Sequence, residues 1–162
     1  MFLGLAKWAA QRKTGPSYLF VAFAGSELGG TGFRRYMLGS APDPKNVLCW
    51  VHIGPSAAAR QWDKKPEVSV PLQELSSGVK LECHPSLNPV LGKTFNKVFK
   101  LVPRPPVEGT IVQQLVERKY RAFGLGGGHY YLGTKLDSQT TTSPMFLVPL
   151  TQAITKTLIA IE

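Results

Sequence analysis

The sequence predicts a single α/β domain of layered secondary structure, and three observations carry that reading. Apolar runs of strand length at residues 18–23, 46–53 and 120–125 lack the polar alternation of a half-solvated strand, as strands covered on both faces do. Stretches of helical spacing stand between and after them, and strands alternating with helices make layers. The 162 residues, 43% hydrophobic and 18% charged, are enough for one sizeable core. That balance excludes a disordered tail, a collagen-like repeat and a disulfide-stapled miniprotein.

Taken in order, Leu3, Leu5, Ala6, Ala9 and Ala10 form a short helical stripe, with Lys7, Gln11 and Arg12 on its wet side. Gly15-Pro16 ends it, because the pair does not continue a helix. Residues 18–23 are the first strand, Ala24-Gly25-Ser26 its tight exit, and 27–38 the next helix. Gly29, Gly30 and Gly32 each weaken that helix by about 1 kcal/mol, so close packing against the sheet is the expected compensation. Ala41-Pro42-Asp43-Pro44 turns the chain into the second strand, 46–53. Residues 54–106 are proline-rich and irregular, with short strands expected at 68–72 and 79–81 and some alternation over 95–101. Residues 110–119 present Ile111, Val112, Leu115 and Val116 as one helical face. Residues 120–125 are the third strand, entering Gly126-Gly127-Gly128. Over 143–162, Phe146, Leu147, Leu150, Ile154, Leu158 and Ile161 recur at helical spacing. Ser143 suits the cap and Pro144 the first turn, while Pro149 is expected to kink or delay the helix.

Composition says less about partners. The net charge of +9, from 19 Lys and Arg against 10 Asp and Glu, favours anionic partners without defining a site. Arg34-Arg35-Tyr36 is a basic-aromatic cluster, and Lys64, Lys65, Lys93, Lys97, Lys100, Arg104, Arg118, Lys119 and Arg121 are spread over several segments. No recognised nucleic-acid module accompanies them, so a solvated face is the default and nucleic-acid binding a lesser alternative. Cys49 reads as a small buried hydrophobe and Cys83, beside His84, as part of a polar loop; two thiols make no disulfide framework. No apolar stretch approaches the roughly 18 residues needed to cross a membrane. Lys7 and Trp8 interrupt the apolar start, which argues against a signal peptide and leaves the compartment open.

Chemistry is expected where a buried strand ends in a small-residue turn and an acid opens a helix, at Ser26-Glu27-Leu28-Gly29. Such a junction sets a carboxylate at the sheet's C-terminal edge, where open α/β sheets bind ligands. The plainer reading is a surface Glu at its own helix N-terminus. His52, His84 and His129 are the only histidines. Gly124-Leu125-Gly126-Gly127-Gly128 follows a strand but lacks the contexts of a phosphate-binding loop, and reads as a flexible loop at a cleft. Asp137 near Thr140, Thr141 and Thr142 has no base paired with it by sequence and reads as a turn residue.

The segment Phe20-Val21-Ala22-Phe23-Ala24-Gly25-Ser26-Glu27-Leu28-Gly29 resembles the strand-turn-helix of the paired-zinc aminopeptidases, a group that includes glutamate carboxypeptidase-like and glutaminyl cyclase-like members. Their pattern is an apolar strand reading F-V-A-F, a turn, and E-E-L-G. The first Glu is the general base and the second a zinc ligand. On this resemblance Glu27 keeps the ligand position, while Ser26 replaces the general base. A serine hydroxyl does not take a proton from metal-bound water as a carboxylate does. Residues 45–54 resemble the next strand, which in the family ends in a zinc-binding Asp, here Gly54. Residues 107–125 resemble the late helix and strand. Gly133-Thr134-Lys135-Leu136-Asp137-Ser138 resembles H-T-P-L-D-T, whose His, the last ligand, is here Gly133.

The resemblance runs from about Leu3 to the end of the chain and covers the later part of a family domain. It implies a three-layer αβα sandwich with a mixed, mostly parallel sheet, truncated at its N-terminus and depleted of its metal site. A paired-zinc site needs a cage of several ligands, and Glu27 alone does not supply one. The function expected is a non-catalytic binding or scaffold domain without a cofactor, or a fragment of a longer peptidase. The missing strands imply an exposed sheet edge, covered by a homo-oligomer or a second polypeptide, with a peptide as a further partner. The alternative is an active zinc exopeptidase whose site is rebuilt from His52, His129 and Glu27. Family relatives commonly work outside the cytoplasm.

Overall fold

The computed structural model describes residues 1–25, 28–64, 69–128, 131, 134–135 and 137–162. In chain order the elements are α1 (Phe2–Ala10), α2 (Thr31–Gly39), β1 (Trp50–Ile53), β2 (Arg60–Lys64), β3 (Ser69–Leu75), β4 (Lys80–Cys83), α3 (Asn88–Phe95), β5 (Pro103–Arg104), α4 (Ile111–Glu117), β6 (Ala122–Gly126) and α5 (Pro144–Ile161). The α/β class is as the sequence predicts. A four-stranded sheet has the order β1-β6-β4-β5, and β2 and β3 form a separate antiparallel pair. β1 runs parallel to β6 and β5 parallel to β4, while β4 and β6 are antiparallel, so the main sheet is mixed.

Strand alternation sorts the side chains of that sheet. Phe123 and Leu125 of β6, in register with Cys83 and Leu81 of β4, belong to one core cluster. Leu91 and Phe95 of α3, with Phe146, Leu150 and Ile154 of α5, complete it. Ala122 belongs to the second cluster with Phe33 of α2, Val112 and Leu115 of α4, and Tyr120. Each fully buried Leu or Phe contributes roughly 1.5–3 kcal/mol, so β6, filled from both sides, holds the domain together.

Residues 18–23 join no strand ladder among the described residues, contrary to the strand expected there. Their rings find partners on helices instead: Tyr18 meets Trp8 at 5.2 Å, Phe20 meets Phe2 at 5.4 Å and Phe23 meets Phe33 at 5.5 Å, all edge-on. Further anchoring comes from Tyr18, whose hydroxyl donates to Glu162 Oε1 at 2.6 Å, beside the Arg12–Glu162 ion pair. α2 starts later than the spacing suggests, because Gly25, Gly29 and Gly30 all hold left-handed backbone (φ 76°, 67° and 72°). The close packing expected of its glycines is present at Gly32, where a Cβ would stand 2.4 Å from Ala24 O. Its partner is the preceding segment rather than the sheet.

β1 is shorter than the apolar run that encodes it. Asp43 accepts from Lys45 N at 2.8 Å and winds Pro44–Asn46 into a 3-10 turn, so the strand begins at Trp50. The proline-rich middle hides an additional helix, α3, opened by Asn88-Pro89 and anchored by Leu91 and Phe95 one turn apart. It takes up residue 95 of the stretch read as alternating. Cys83 is not in a loop: it is a buried β4 residue whose Sγ lies 2.9 Å from Asn88 Oδ1. Cys49 is half-buried.

Thr110 caps α4 by accepting from Gln113 N at 3.2 Å, and Ser143 caps α5 by accepting from Met145 N at 3.3 Å. α5 starts at Pro144 and continues through Pro149, so the helix is not delayed to that proline as the sequence allowed. Pro149 is the sixth residue of the helix and forgoes the bond its N–H would have made to the carbonyl of Met145. By length and mean hydropathy (1.4) α5 is sufficient to cross a membrane. Counting only unbroken apolar stretches hides this, because Thr, Gln and Lys punctuate the helix.

Candidate functional site

The site expected from sequence divides between what is described and what is not. Ser26, Glu27, His129 and Gly133 lie outside the described residues. His52 and Gly54 lie at the C-terminal end of β1 and can be placed in detail.

Sheet register aligns a row of polar residues across the strands. His52 of β1 pairs with Gly124 of β6, Gly124 with Glu82 of β4, and Glu82 with Arg104 of β5. Glycine is required at 124 because α4 sits directly above it: a Cβ there would be 2.6 Å from Val112 Cγ2 and 3.0 Å from His52 O. Glu82 is only 7% exposed and accepts from Arg104 Nη2 at 2.9 Å. A charge this deep needs such a partner. The sequence reading missed this pair, since Arg104 stands among prolines 22 residues from Glu82 and no spacing joins them.

His52 is half-buried in that row. Burial pulls its pKa below the ordinary 6.5, with the Glu82 charge acting in the opposite sense. The neutral ring is therefore the folded form at pH 7. The unfolded chain takes up a proton at a higher pH than the folded one, so this contribution to stability is complete above about pH 6.5. It is lost as the pH falls through the folded value. Thermal unfolding followed from pH 7 to pH 5 is expected to show a falling midpoint, with the fall reduced in His52→Gln. An identical pH dependence in the variant would assign the effect to other groups.

Gly54 N donates to Leu125 O at 2.7 Å, holding the end of β1 against β6. A Cβ on Gly54 would meet His52 Nε2 at 3.2 Å, Gly126 Cα at 3.3 Å and Leu125 O at 3.3 Å. The position where the resemblance would set a metal-binding Asp is thus tightly flanked by backbone and by the imidazole, and a side chain there requires them to give by a few tenths of an ångström. The glycines beyond β6 are equally committed. A Cβ on Gly127 would lie 2.1 Å from Gly78 O, and one on Gly78 would lie 2.3 Å from Gly128 O. Residues 126–127 are therefore a backbone packing device, where the sequence suggested a flexible loop.

Among the described residues no group of three or more His, Cys, Asp or Glu is arranged to hold a metal ion. A zinc centre takes four donors, with water as one of them in catalytic sites. At the end of β1 the described donor is the His52 imidazole; Glu27 and His129, the other ligands expected of a rebuilt site, lie outside the described residues. Comparison with protein-family models, with curated proteins and with solved structures returns no match.

Proposed function

We propose that the chain is a non-catalytic binding or scaffold domain, a metal-site-depleted relative of the paired-zinc aminopeptidases that uses no cofactor. The single observation that supports this reading is the glycine at position 54, crowded by the His52 imidazole and the β6 backbone where the resemblance would set a metal-binding Asp. A carboxylate introduced there requires the His52 ring and the neighbouring β6 backbone to give by a few tenths of an ångström. On the same reading, the helices packed about the mixed sheet are the remnant of a three-layer αβα frame shortened at its N-terminal side. β1 ends the strand order, and its outer edge is unpaired among the described residues. That edge is the place for a second copy of the chain, a second polypeptide or an extended peptide, because open edges recruit strands.

Metal content and turnover test the proposal together. The purified full chain, equilibrated with excess zinc and desalted, is expected to retain well under one zinc per chain. It is also expected to release no N-terminal residue from a panel of aminoacyl chromogenic substrates. Stoichiometric zinc with chelator-sensitive turnover would overturn the proposal in favour of an active exopeptidase with a rearranged site, His52 and His129 among its ligands.

A further inference from the structure

The outer face of α3 and α5 combines two properties that the proposed function does not use. α5 buries Phe146, Leu150, Ala153, Ile154 and Thr157 and turns Met145, Val148, Gln152, Lys156 and Ile159 outward, the exposed positions recurring every three or four residues. Met145, Val148 and Ile159 are 64%, 61% and 52% exposed, so the wet side of the helix carries three large apolar side chains, with Gln152 and Lys156 between Val148 and Ile159. α3 packs beside α5, with the Thr94 and Thr157 hydroxyls 2.7 Å apart and the Phe99 ring edge-on to Phe146 at 5.1 Å. From α3 and the turn after it, Lys93, Lys97 and Lys100 are exposed.

Charge separates this face from an ordinary solvated one. No Asp or Glu occurs in residues 83–107 or 138–161, so these lysines and Lys156 have no acidic neighbour within their own segments of the sequence. We propose that the α3–α5 face docks on an anionic lipid bilayer. The lysines would lie at the phosphate level, and Met145, Val148 and Ile159 would enter the boundary between headgroups and acyl chains. An amphipathic helix lying in the interface plane uses this combination of apolar side chains and flanking cations. A nucleic-acid backbone would use the lysines but leave the apolar side chains in water, which is why the bilayer is favoured. The inference does not depend on the peptidase resemblance.

Co-sedimentation of the full chain with phosphatidylcholine vesicles, with and without phosphatidylserine, tests it. Binding is expected only to the phosphatidylserine vesicles, and it is expected to weaken as salt is raised. Replacing Lys93 and Lys97 by Gln should weaken binding about fivefold per lysine, and Met145→Ser with Val148→Ser should weaken it without changing the net charge. All four side chains are exposed, so the circular dichroism melting curves of the variants should overlay that of the parent. Three outcomes overturn the proposal: no vesicle binding, equal binding to both compositions, or binding that both double variants retain. Salt-dependent oligonucleotide binding that requires the lysines and ignores Met145 and Val148, without vesicle binding, would assign the face to nucleic acid instead.

Discussion

Phe123→Ala is expected to lower the free energy of unfolding by about 3–5 kcal/mol, the range for truncating a fully buried aromatic side chain. Phe123 has no exposed surface, is the second residue of β6 and meets Phe95 of α3 at 6.4 Å between ring centres. Its neighbours across the strands, Val51 and Cys83, belong to elements pinned on both sides of β6, so the cavity has little freedom to collapse. Urea denaturation checks this through the shift in midpoint, provided the slope is unchanged. A loss below about 1 kcal/mol would mean that the α3–α5 layer does not pack on this face as described.

A second large effect is expected from a single methyl group on the backbone. Gly127→Ala places a Cβ 2.1 Å from Gly78 O, a contact with main chain rather than with a side chain that can swing away. Overpacking of this kind costs roughly 1–3 kcal/mol or more, and here it also separates the end of β6 from the turn before β4. Gly92→Ala is the matched control. Gly92 lies inside α3 with nothing within 4 Å of an added Cβ, so the substitution should stabilise by about 0.5–1 kcal/mol. Similar melting temperatures for the two variants would remove the interlocked glycines from the account.

The parts of the fold that could be read in advance are those where a local pattern and its partner coincide. α4 and α5 announce themselves through helical spacing, α5 also through Ser143 as its cap, and β6 through an apolar run beside glycines. Residues 18–23 show how the same signal misleads. Their apolarity is real, but it is met by the aromatic rings of α1 and α2, and a run of apolar residues does not specify what covers it. α3 escaped notice because eight residues carry barely two turns of periodicity between prolines. At the candidate site, the sequence marks His52 and Gly54 as residues of interest at the end of a strand. The crowding of position 54 was not legible, because it depends on Leu125 and Gly126, which only the β1–β6 register brings alongside. For the same reason the Glu82–Arg104 pair belongs to three-dimensional structure alone.

The strand order has a consequence for how the chain reaches its native state. β6, the spine between β1 and β4, is encoded after every other strand of its sheet. β1 and β4 have no shared template until residues 122–126 leave the ribosome, and the loops closed by their pairing with β6 are long. High contact order of this kind slows the search for native pairings. During that interval the faces later covered by α5 stay wet, leaving the nascent polypeptide dependent on chaperones or rapid completion of synthesis to avoid aggregation.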